Sequence, residues 1–175
     1  GGGITLSGGE PLQQKDFALD ILQKCREHRI HTAVETNLLT DINTLEAFLP
    51  WVDLWMCDFK MADDTLHRKW TGHSNVPIIK NLEFLAKQAV PMTIRTPIIP
   101  NVNDSEEAIE SICRFIRQLP NQPAYELLGF HSLGFVKFEN LGMKNPLSNS
   151  AFLKKGQLQK LNEILIRYNL NNNKK

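Results

Sequence analysis

The sequence predicts an α/β fold in which parallel β-strands alternate with helices. Five short apolar runs are each followed by a segment with helical periodicity. Short apolar runs bounded by turn residues are typical of buried parallel strands, and repeated strand–helix alternation indicates right-handed βαβ units. An open doubly wound sheet and a complete or partial barrel both fit this pattern. In each of them, ligands bind at the carboxyl ends of the strands.

The predicted strands are short and follow one another regularly. They cover residues 3–7, 32–35, 54–59, 92–96 and 126–130. Between and after them, apolar residues recur three and four positions apart, which is the spacing of a buried helix face. The predicted faces are Phe17, Ile21, Leu22 and Cys25; Ile79, Leu82, Leu85, Ala86 and Ala89; Ile109, Ile112, Cys113, Ile116 and Leu119; and Leu158, Leu161, Leu165 and Tyr168.

Two helices also carry sequence signals at their ends. Asp63 and Asp64 can begin a short helix that Gly72 ends. Asp104 can cap a later helix, and Glu107 three residues on completes a capping box. The tail at 171–175 has no apolar side chain to bury, so we expect it to be frayed.

Composition limits the function classes. The 175 residues carry a formal net charge of +1, and we treat residues 1–175 as one domain. A charge this close to zero gives no field for nucleic acid or an anionic membrane, and no apolar run approaches the roughly 20 residues of a membrane helix. Cys25, Cys57 and Cys113 are scattered without a Cys-x-x-Cys pair. They predict buried filler in a reducing, cytoplasmic compartment, and neither a disulfide framework nor a metal site.

The segment after the first strand combines two glycines with an acid. Gly8 and Gly9 permit backbone angles that other residues resist, and they let a ligand approach the main chain closely. Glu10 then places a carboxylate beside this exposed backbone. A tight turn with an acid at a helix start has the same sequence, so the glycine pair alone favours the structural interpretation.

Polar side chains also follow the second and third strands. Glu35, Thr36 and Asn37 end the second. In the third, Asp58 and Lys60 point to the same side of the sheet. They form either an internal ion pair or a ligand clamp, in which Asp58 accepts from hydroxyls and Lys60 neutralises a carboxylate.

His131 follows the fifth strand, where a lone histidine is more often structural than catalytic. Together, the strand ends place a glycine turn, carboxylates, an amide, a lysine and a histidine at one edge of the sheet. This set suits a zwitterionic ligand with hydroxyl groups, whereas a phosphate would require more cations or backbone N–H nests. No Ser–His–Asp or Cys–His relay is indicated, so hydrolysis has little support.

Five segments, in order along the chain, form a specific set of motifs. They are Gly-Gly-Ile-Thr-Leu-Ser-Gly-Gly-Glu-Pro-Leu at 2–12, the strand ending Glu-Thr-Asn at 31–37, Asp-Phe-Lys at 58–60, the Arg-to-Asp stretch at 95–104, and Leu-Leu-Gly-Phe-His-Ser-Leu-Gly at 127–134. This set resembles the motifs of radical S-adenosylmethionine (SAM) enzymes that activate glycyl radical enzymes, such as pyruvate formate-lyase activating enzymes.

The resemblance implies a partial (βα)6 TIM-like barrel, of which the first strand is missing here and about five strands are present. It implies a [4Fe–4S] cluster on a Cys-x-x-x-Cys-x-x-Cys motif upstream of Gly1, and SAM as the second cofactor. The activity would be cleavage of SAM to a 5′-deoxyadenosyl radical that installs a glycyl radical in a partner such as pyruvate formate-lyase. The electron donor would be a flavodoxin or ferredoxin. This fragment would be inactive alone.

The resemblance also assigns residue roles. Gly8, Gly9 and Glu10 would receive the SAM amino group, with the second-strand residues nearby. Asp58 would bind the ribose hydroxyls and Lys60 the methionyl carboxylate. The remaining assignments are Glu35, Thr36 and Asn37 near the amino end of SAM, His131 at the adenosine, and Arg95 in the pocket for the partner's glycine loop.

Four departures from the family pattern leave the partner open. Glu35 replaces an Asp, Leu38 and Asn101 each replace a Gly, and Gly129-Phe130 replaces Pro-Tyr. Two alternative functions therefore stay open. One is a radical SAM enzyme that acts on a small molecule or another peptide, and the other is a non-catalytic domain that binds SAM or a partner protein.

Overall fold

The computed structural model describes residues 2–130, 135–145, 147–148 and 152–170. Its centre is one five-stranded parallel sheet in the order β1-β2-β3-β4-β5. Each strand lies within a few residues of its predicted position, so the predicted parallel α/β fold is confirmed. The strands are β1 Gly3–Leu6, β2 His31–Thr36, β3 Leu54–Asp58, β4 Met92–Ile98 and β5 Ala124–Gly129.

Helices connect every pair of neighbouring strands and also follow the last one. Short 3-10 helices at Pro11–Gln14 and Leu49–Trp51 precede α1 and follow α2, respectively. The α-helices are α1 Lys15–Glu27, α2 Ile42–Phe48, α3 Asp64–Thr71, α4 Val76–Lys87, α5 Glu106–Gln118, α6 Phe135–Asn140 and α7 Gln157–Arg167. None of the helices that the structure describes is long and apolar enough to cross a membrane.

The strand register divides the sheet into an apolar and a polar face. One row across β2 to β5 pairs Thr36, Cys57, Ile94 and Tyr125, all of them buried. Cys57, Ile94 and Tyr125 pack with the helices in the main hydrophobic core. Successive strand residues point to opposite faces, so the adjacent row, which contains Asp58 and Arg95, lies on the face turned away from this core. The predicted polar site is therefore built on that open face.

The first helix corrects one predicted apolar face. Ala18, Leu22 and Cys25 form the buried stripe of α1, whereas the side chain of Phe17 is 65% exposed. Because adjacent residues differ by about 100° around a helix, a stripe centred on Leu22 turns Phe17 toward β1. The described residues place no further strand along the outer edge of β1, and Phe17 lines a cavity of about 120 Å³ there with Gly9 and Glu10.

The helix ends confirm one predicted cap and correct the other. Asp63 accepts a hydrogen bond from Leu66 N at 2.8 Å and begins α3, which Gly72 ends at a φ of 79°. In α5, however, the N-cap is Ser105, whose hydroxyl accepts from Ala108 N at 3.2 Å. The predicted capping box from Asp104 was wrong by one residue. The Asp104 carboxylate instead accepts hydrogen bonds from Asn101 N and Gln157 Nε2, at 2.9 and 2.7 Å.

The assignment of Ser105 as the N-cap of α5 can be tested by a stability measurement. We expect Ser105→Ala to lower the free energy of unfolding by about 1 kcal/mol, because α5 loses the acceptor for one of its free N–H groups. Urea denaturation at neutral pH measures the change. Ser111→Ala, the same substitution inside α5, is the matched control and should be nearly neutral because alanine favours helix interiors. Equal losses in both variants would contradict the assignment of Ser105 as the cap.

Candidate active site

The turn after β1 is tied to the end of β2 by one carboxylate. Gly8 has a φ of 115°, in the region that favours glycine, and the turn places Glu10 at the start of the 3-10 helix. Glu10 Oε1 accepts from Leu12 N at 3.2 Å and from Thr36 Oγ1 at 2.8 Å, while Oε2 accepts from Asn37 N at 2.8 Å. The structure thus brings together Glu10, Thr36 and Asn37, which the sequence predicted to share a site.

The β2–α2 connection is fixed by local hydrogen bonds and by a buried amide. Thr36 Oγ1 accepts from Leu38 N at 2.9 Å, and Asn81 Nδ2 donates to Leu38 O at 2.9 Å. Leu38 has a φ of 57°, and Asn101 after β4 has a φ of 62°. Both residues therefore adopt the left-handed conformation that glycine adopts most readily. The Leu38 side chain is completely buried, and its packing offsets a backbone cost of roughly 1–2 kcal/mol.

A chain of ion pairs crosses three strands on the open face. Arg95 Nη2 lies 2.6 Å from Glu35 Oε1 and 3.1 Å from Asp58 Oδ1. Lys60 Nζ lies 3.2 Å from Asp58 Oδ2. The side chain of Arg95 is 11% exposed, that of Asp58 is 22% exposed and that of Glu35 is 40% exposed. The predicted pairing of Asp58 with Lys60 is present, and Arg95 is an additional partner.

Arg95 is held in its charged form by its two carboxylate partners. Burial alone lowers the pKa of its guanidinium, but the hydrogen bond with Glu35 and the charge and hydrogen bond of Asp58 outweigh burial and raise it. Its Nη1 lies 3.9 Å from Met56 Sδ, and its buried Nε has no hydrogen-bond partner among the described residues. Arg95 therefore acts first as the internal counter-ion of this face.

The polar rim, formed by Glu10, Glu35, Asp58, Lys60 and Arg95, contains three acidic and two basic residues. Glu126, the β5 register partner of Arg95, adds a fourth acidic residue to the same face of the sheet, so acidic residues outnumber basic ones. Carboxylates accept from ammonium groups and hydroxyls, and a lysine pairs with a carboxylate. This arrangement suits a ligand that carries an amino group, a carboxylate, hydroxyls and a net positive charge. His131, the other predicted member, lies outside the described residues.

The residues present fit the polar groups of SAM but not an iron–sulfur cluster. No group of three or more His, Cys, Asp or Glu among the described residues could hold a metal ion. Cys25, Cys57 and Cys113 are buried separately. Burial raises the pKa of Cys57 far above its usual value and that of Cys113 to about 12, so neither thiol is a ready thiolate ligand.

The ion pairs of Arg95 were not predicted from the sequence. Its guanidinium contacts Glu35 and Asp58 from neighbouring strands, and its place in a substrate pocket stays a prediction. The signal was present in the sequence, because a charged residue inside an apolar parallel strand requires a partner of opposite charge. The register that selects the partner depends on strand pairing, which no local pattern specifies.

We expect Arg95→Leu to lower the free energy of unfolding by about 2 kcal/mol. Removing one member of a buried ion pair costs about 3–5 kcal/mol, and the partial exposure of Glu35 and Asp58 reduces this loss. Arg26→Leu is the matched control, because Arg26 pairs with Asp53 on the exposed surface and should contribute at most about 1 kcal/mol. Guanidinium chloride would screen both pairs, so urea denaturation is the measurement. A loss no larger than that of the control would contradict the role of Arg95.

Comparison with known proteins agrees with this geometry. The sequence profile of the Radical SAM superfamily matches residues 1–115. The isethionate sulfite-lyase activating enzyme of Desulfovibrio desulfuricans is 40% identical over 156 residues, which cover 88% of this chain and 50% of that protein. The (2S)-3-sulfopropanediol dehydratase activating enzyme of Klebsiella oxytoca is 39% identical over 151 residues, which cover 85% and 48%. The chain spans about half the length of these curated relatives.

This chain matches a solved structure over almost the whole length of both proteins. A domain of pyruvate-formate lyase-activating enzyme from Bacteroides vulgatus superposes with a TM-score of 0.81 at 32% identity, covering 97% of this chain and 96% of that domain. The five parallel strands therefore form the partial TIM-like barrel that the resemblance implied. With the profile match, this similarity shows that the chain belongs to the radical SAM superfamily.

Proposed function

We propose that this chain is the SAM-binding part of an activating enzyme that installs a glycyl radical in a partner enzyme. The support comes from relatives of two named specificities, both of them activating enzymes, and from the matching activating-enzyme domain. The polar rim lies at the carboxyl ends of the strands, where barrel enzymes place their chemistry.

The observation that carries the proposal is the charge of the rim. Acidic residues outnumber basic ones there, and the residues of the rim lie on β2, β3 and β4 and in the flanking turns. At neutral pH, SAM carries a sulfonium, an ammonium and a carboxylate, and therefore one net positive charge. The acidic excess of the rim is complementary to this net positive charge, and Lys60 is complementary to the carboxylate.

The proposed residue roles follow from the hydrogen bonds that stay available. Glu10 uses three acceptor sites for the protein, and a carboxylate offers about four, so its remaining site and the Gly8-Gly9 backbone would receive the amino group. Glu35 would support that end, beside Thr36 and Asn37.

Different residues would bind the other end of the ligand. Asp58 would accept from the ribose hydroxyls, and Lys60 would pair with the methionyl carboxylate. Arg95 would hold Glu35 and Asp58 in place and line the entry for the partner's glycine loop. His131 would contact the adenosine.

The cluster completes the chemistry in the proposed holoenzyme. A reduced [4Fe–4S] cluster would supply the one electron that breaks a carbon–sulfur bond of bound SAM, and the carbon-centred radical would take a hydrogen atom from a glycine. No group of side chains among the described residues could hold such a cluster, so its ligands would have to lie outside them. Without the cluster, the 175-residue chain should not cleave SAM and should bind it only near the millimolar range, or about 4 kcal/mol.

The proposed partners follow from the same assignment. The partner would be a glycyl radical enzyme of the pyruvate formate-lyase type, and the electron donor a flavodoxin or ferredoxin in the cytoplasm. The two named relatives are a lyase-activating enzyme and a dehydratase-activating enzyme, so membership of the family does not determine the partner.

A binding measurement tests the rim. In the full-length protein with its cluster, we expect Lys60→Ala to weaken SAM binding about tenfold, because the carboxylate loses its counter-charge. Asp58→Asn should cost less, because an amide oxygen still accepts from a ribose hydroxyl. Lys24→Ala is the matched control, since Lys24 also forms an ion pair, with Glu27, but at the opposite end of the barrel. Anaerobic calorimetry measures all three, and equal affinities for Lys60→Ala and Lys24→Ala would contradict the site.

An activity measurement tests the function. We expect the reduced full-length protein to release 5′-deoxyadenosine and to produce a glycyl radical signal in electron paramagnetic resonance when the correct partner is added. The control partner carries alanine in place of the reactive glycine. Cleavage of SAM without a radical in any candidate partner would favour an enzyme acting on a small molecule or another peptide. No cleavage with an intact, reduced cluster would exclude radical SAM chemistry.

A further inference from the structure

The backbone that follows β3 is held by an unusual number of side chains. Four successive carbonyls, those of residues 59–62, each accept a hydrogen bond from a side-chain donor. Thr96 Oγ1 donates to Phe59 O at 2.7 Å, and Asn103 Nδ2 donates to Lys60 O at 2.9 Å. Asn75 Nδ2 donates to Met61 O at 3.0 Å and to Ala62 O at 2.9 Å.

The three donors are among the most buried polar residues of the protein. Thr96, Asn75 and Asn103 are all 3% exposed or less. They come from three separate places, namely β4, the turn before α4 and the turn before α5. A buried polar side chain is costly unless it is hydrogen-bonded. The carbonyls of residues 59–62 therefore accept hydrogen bonds from all three buried side chains, which approach from different elements.

The donors are themselves fixed by further hydrogen bonds. Tyr125 O–H donates to Thr96 Oγ1 at 3.0 Å. Asn103 Oδ1 accepts from Ile99 N at 2.8 Å, and its Nδ2 also donates to Pro97 O at 2.9 Å. Asn103 thereby uses its carbonyl and both amide hydrogens, so its orientation is fully determined.

The held segment contains Lys60 and directly follows Asp58. Beyond the end of a strand, carbonyls have no ladder partner and would otherwise be free to reorient. A lysine side chain is long and flexible, so the place of its ammonium depends first on the backbone that carries it. Geometry in a binding site must be kept within about 0.5 Å, which requires such support.

We propose that Asn75, Thr96 and Asn103 are positioning residues that hold the backbone of residues 59–62 and thereby keep Lys60 at its distance from Asp58. The identity of the ligand that Lys60 binds rests on the proposed function, but the positioning itself does not. The two parts can therefore be tested separately.

The first test uses methyl signals and needs no ligand. The chain has four methionines, of which Met61 lies in the held segment and Met92 lies at the opposite end of the barrel. In protein labelled with carbon-13 at the methionine methyls, we expect Thr96→Val to shift and broaden the Met61 signal and to leave Met92 unchanged. Valine keeps the shape of threonine but cannot donate to Phe59 O.

The matched control is Tyr125→Phe, which removes the neighbouring hydroxyl but leaves the bond from Thr96 to Phe59 O. Met61 should respond far less to Tyr125→Phe than to Thr96→Val. Asn103→Ala should reproduce the effect of Thr96→Val, and should it fail to fold, Thr96→Val carries the test alone. An unchanged Met61 signal, or equal changes at Met61 and Met92, would overturn the proposal.

The second test is a double-mutant cycle in the full-length protein with its cluster. We expect Thr96→Val to weaken SAM binding about tenfold when Lys60 is present and to have little effect in the Lys60→Ala background, because the two residues act as a unit. Equal losses in both backgrounds would overturn the positioning of Lys60. A Met61 response in a protein that binds no SAM would support the positioning while contradicting the proposed function.

Discussion

The pairing of Arg95 with Glu35 and Asp58 is the interaction on which the open face of the sheet depends. Two carboxylates on neighbouring strands, directed to the same face, would repel each other and resist partial burial. A single guanidinium on the third strand pairs with both, and it is more deeply buried than either partner. Both carboxylates contact the same nitrogen, Nη2, so the guanidinium brings the side chains of two neighbouring strands to one point.

This interaction explains why charged residues occur inside strands that are otherwise apolar. In a parallel sheet covered on both faces, strands are apolar throughout. Here the row containing Thr36, Cys57 and Ile94 packs under helices, whereas the adjacent row carries Asp58 and Arg95. A sheet that curves into a partial barrel has an inner face of this kind, and that face is large enough for polar side chains and a ligand. Charged residues inside these strands are thus the feature of the sequence that indicates the site.

The strands and most of the rim could be predicted because they depend on local patterns. The alternation predicted for the third strand places Asp58 and Lys60 on one side, although β3 itself ends at Asp58 and Lys60 lies just beyond it. The features that could not be predicted depend on contacts between distant segments. The partners of Arg95 are selected by strand register. Asp104 does not cap α5, and its carboxylate instead accepts a hydrogen bond from Gln157. The hydrogen bonds to the four carbonyls of residues 59–62 have no local signal in the sequence. Asn75 and Asn103, which donate three of them, resemble ordinary turn residues.

The same ion pairs determine which part of the rim can change when a ligand arrives. Asp58 is contacted by two cations and is 22% exposed, whereas Glu35 pairs with one cation among the described residues, Arg95, and is 40% exposed. An incoming ammonium group therefore competes most easily for Glu35, where one exchangeable contact faces solvent. Asp58 keeps the ammonium group of Lys60 beside it even if Arg95 moves partly toward another acceptor. The rim thus combines a fixed half, at Asp58 and Lys60, with an adaptable half, at Glu35, and the buried guanidinium couples the two.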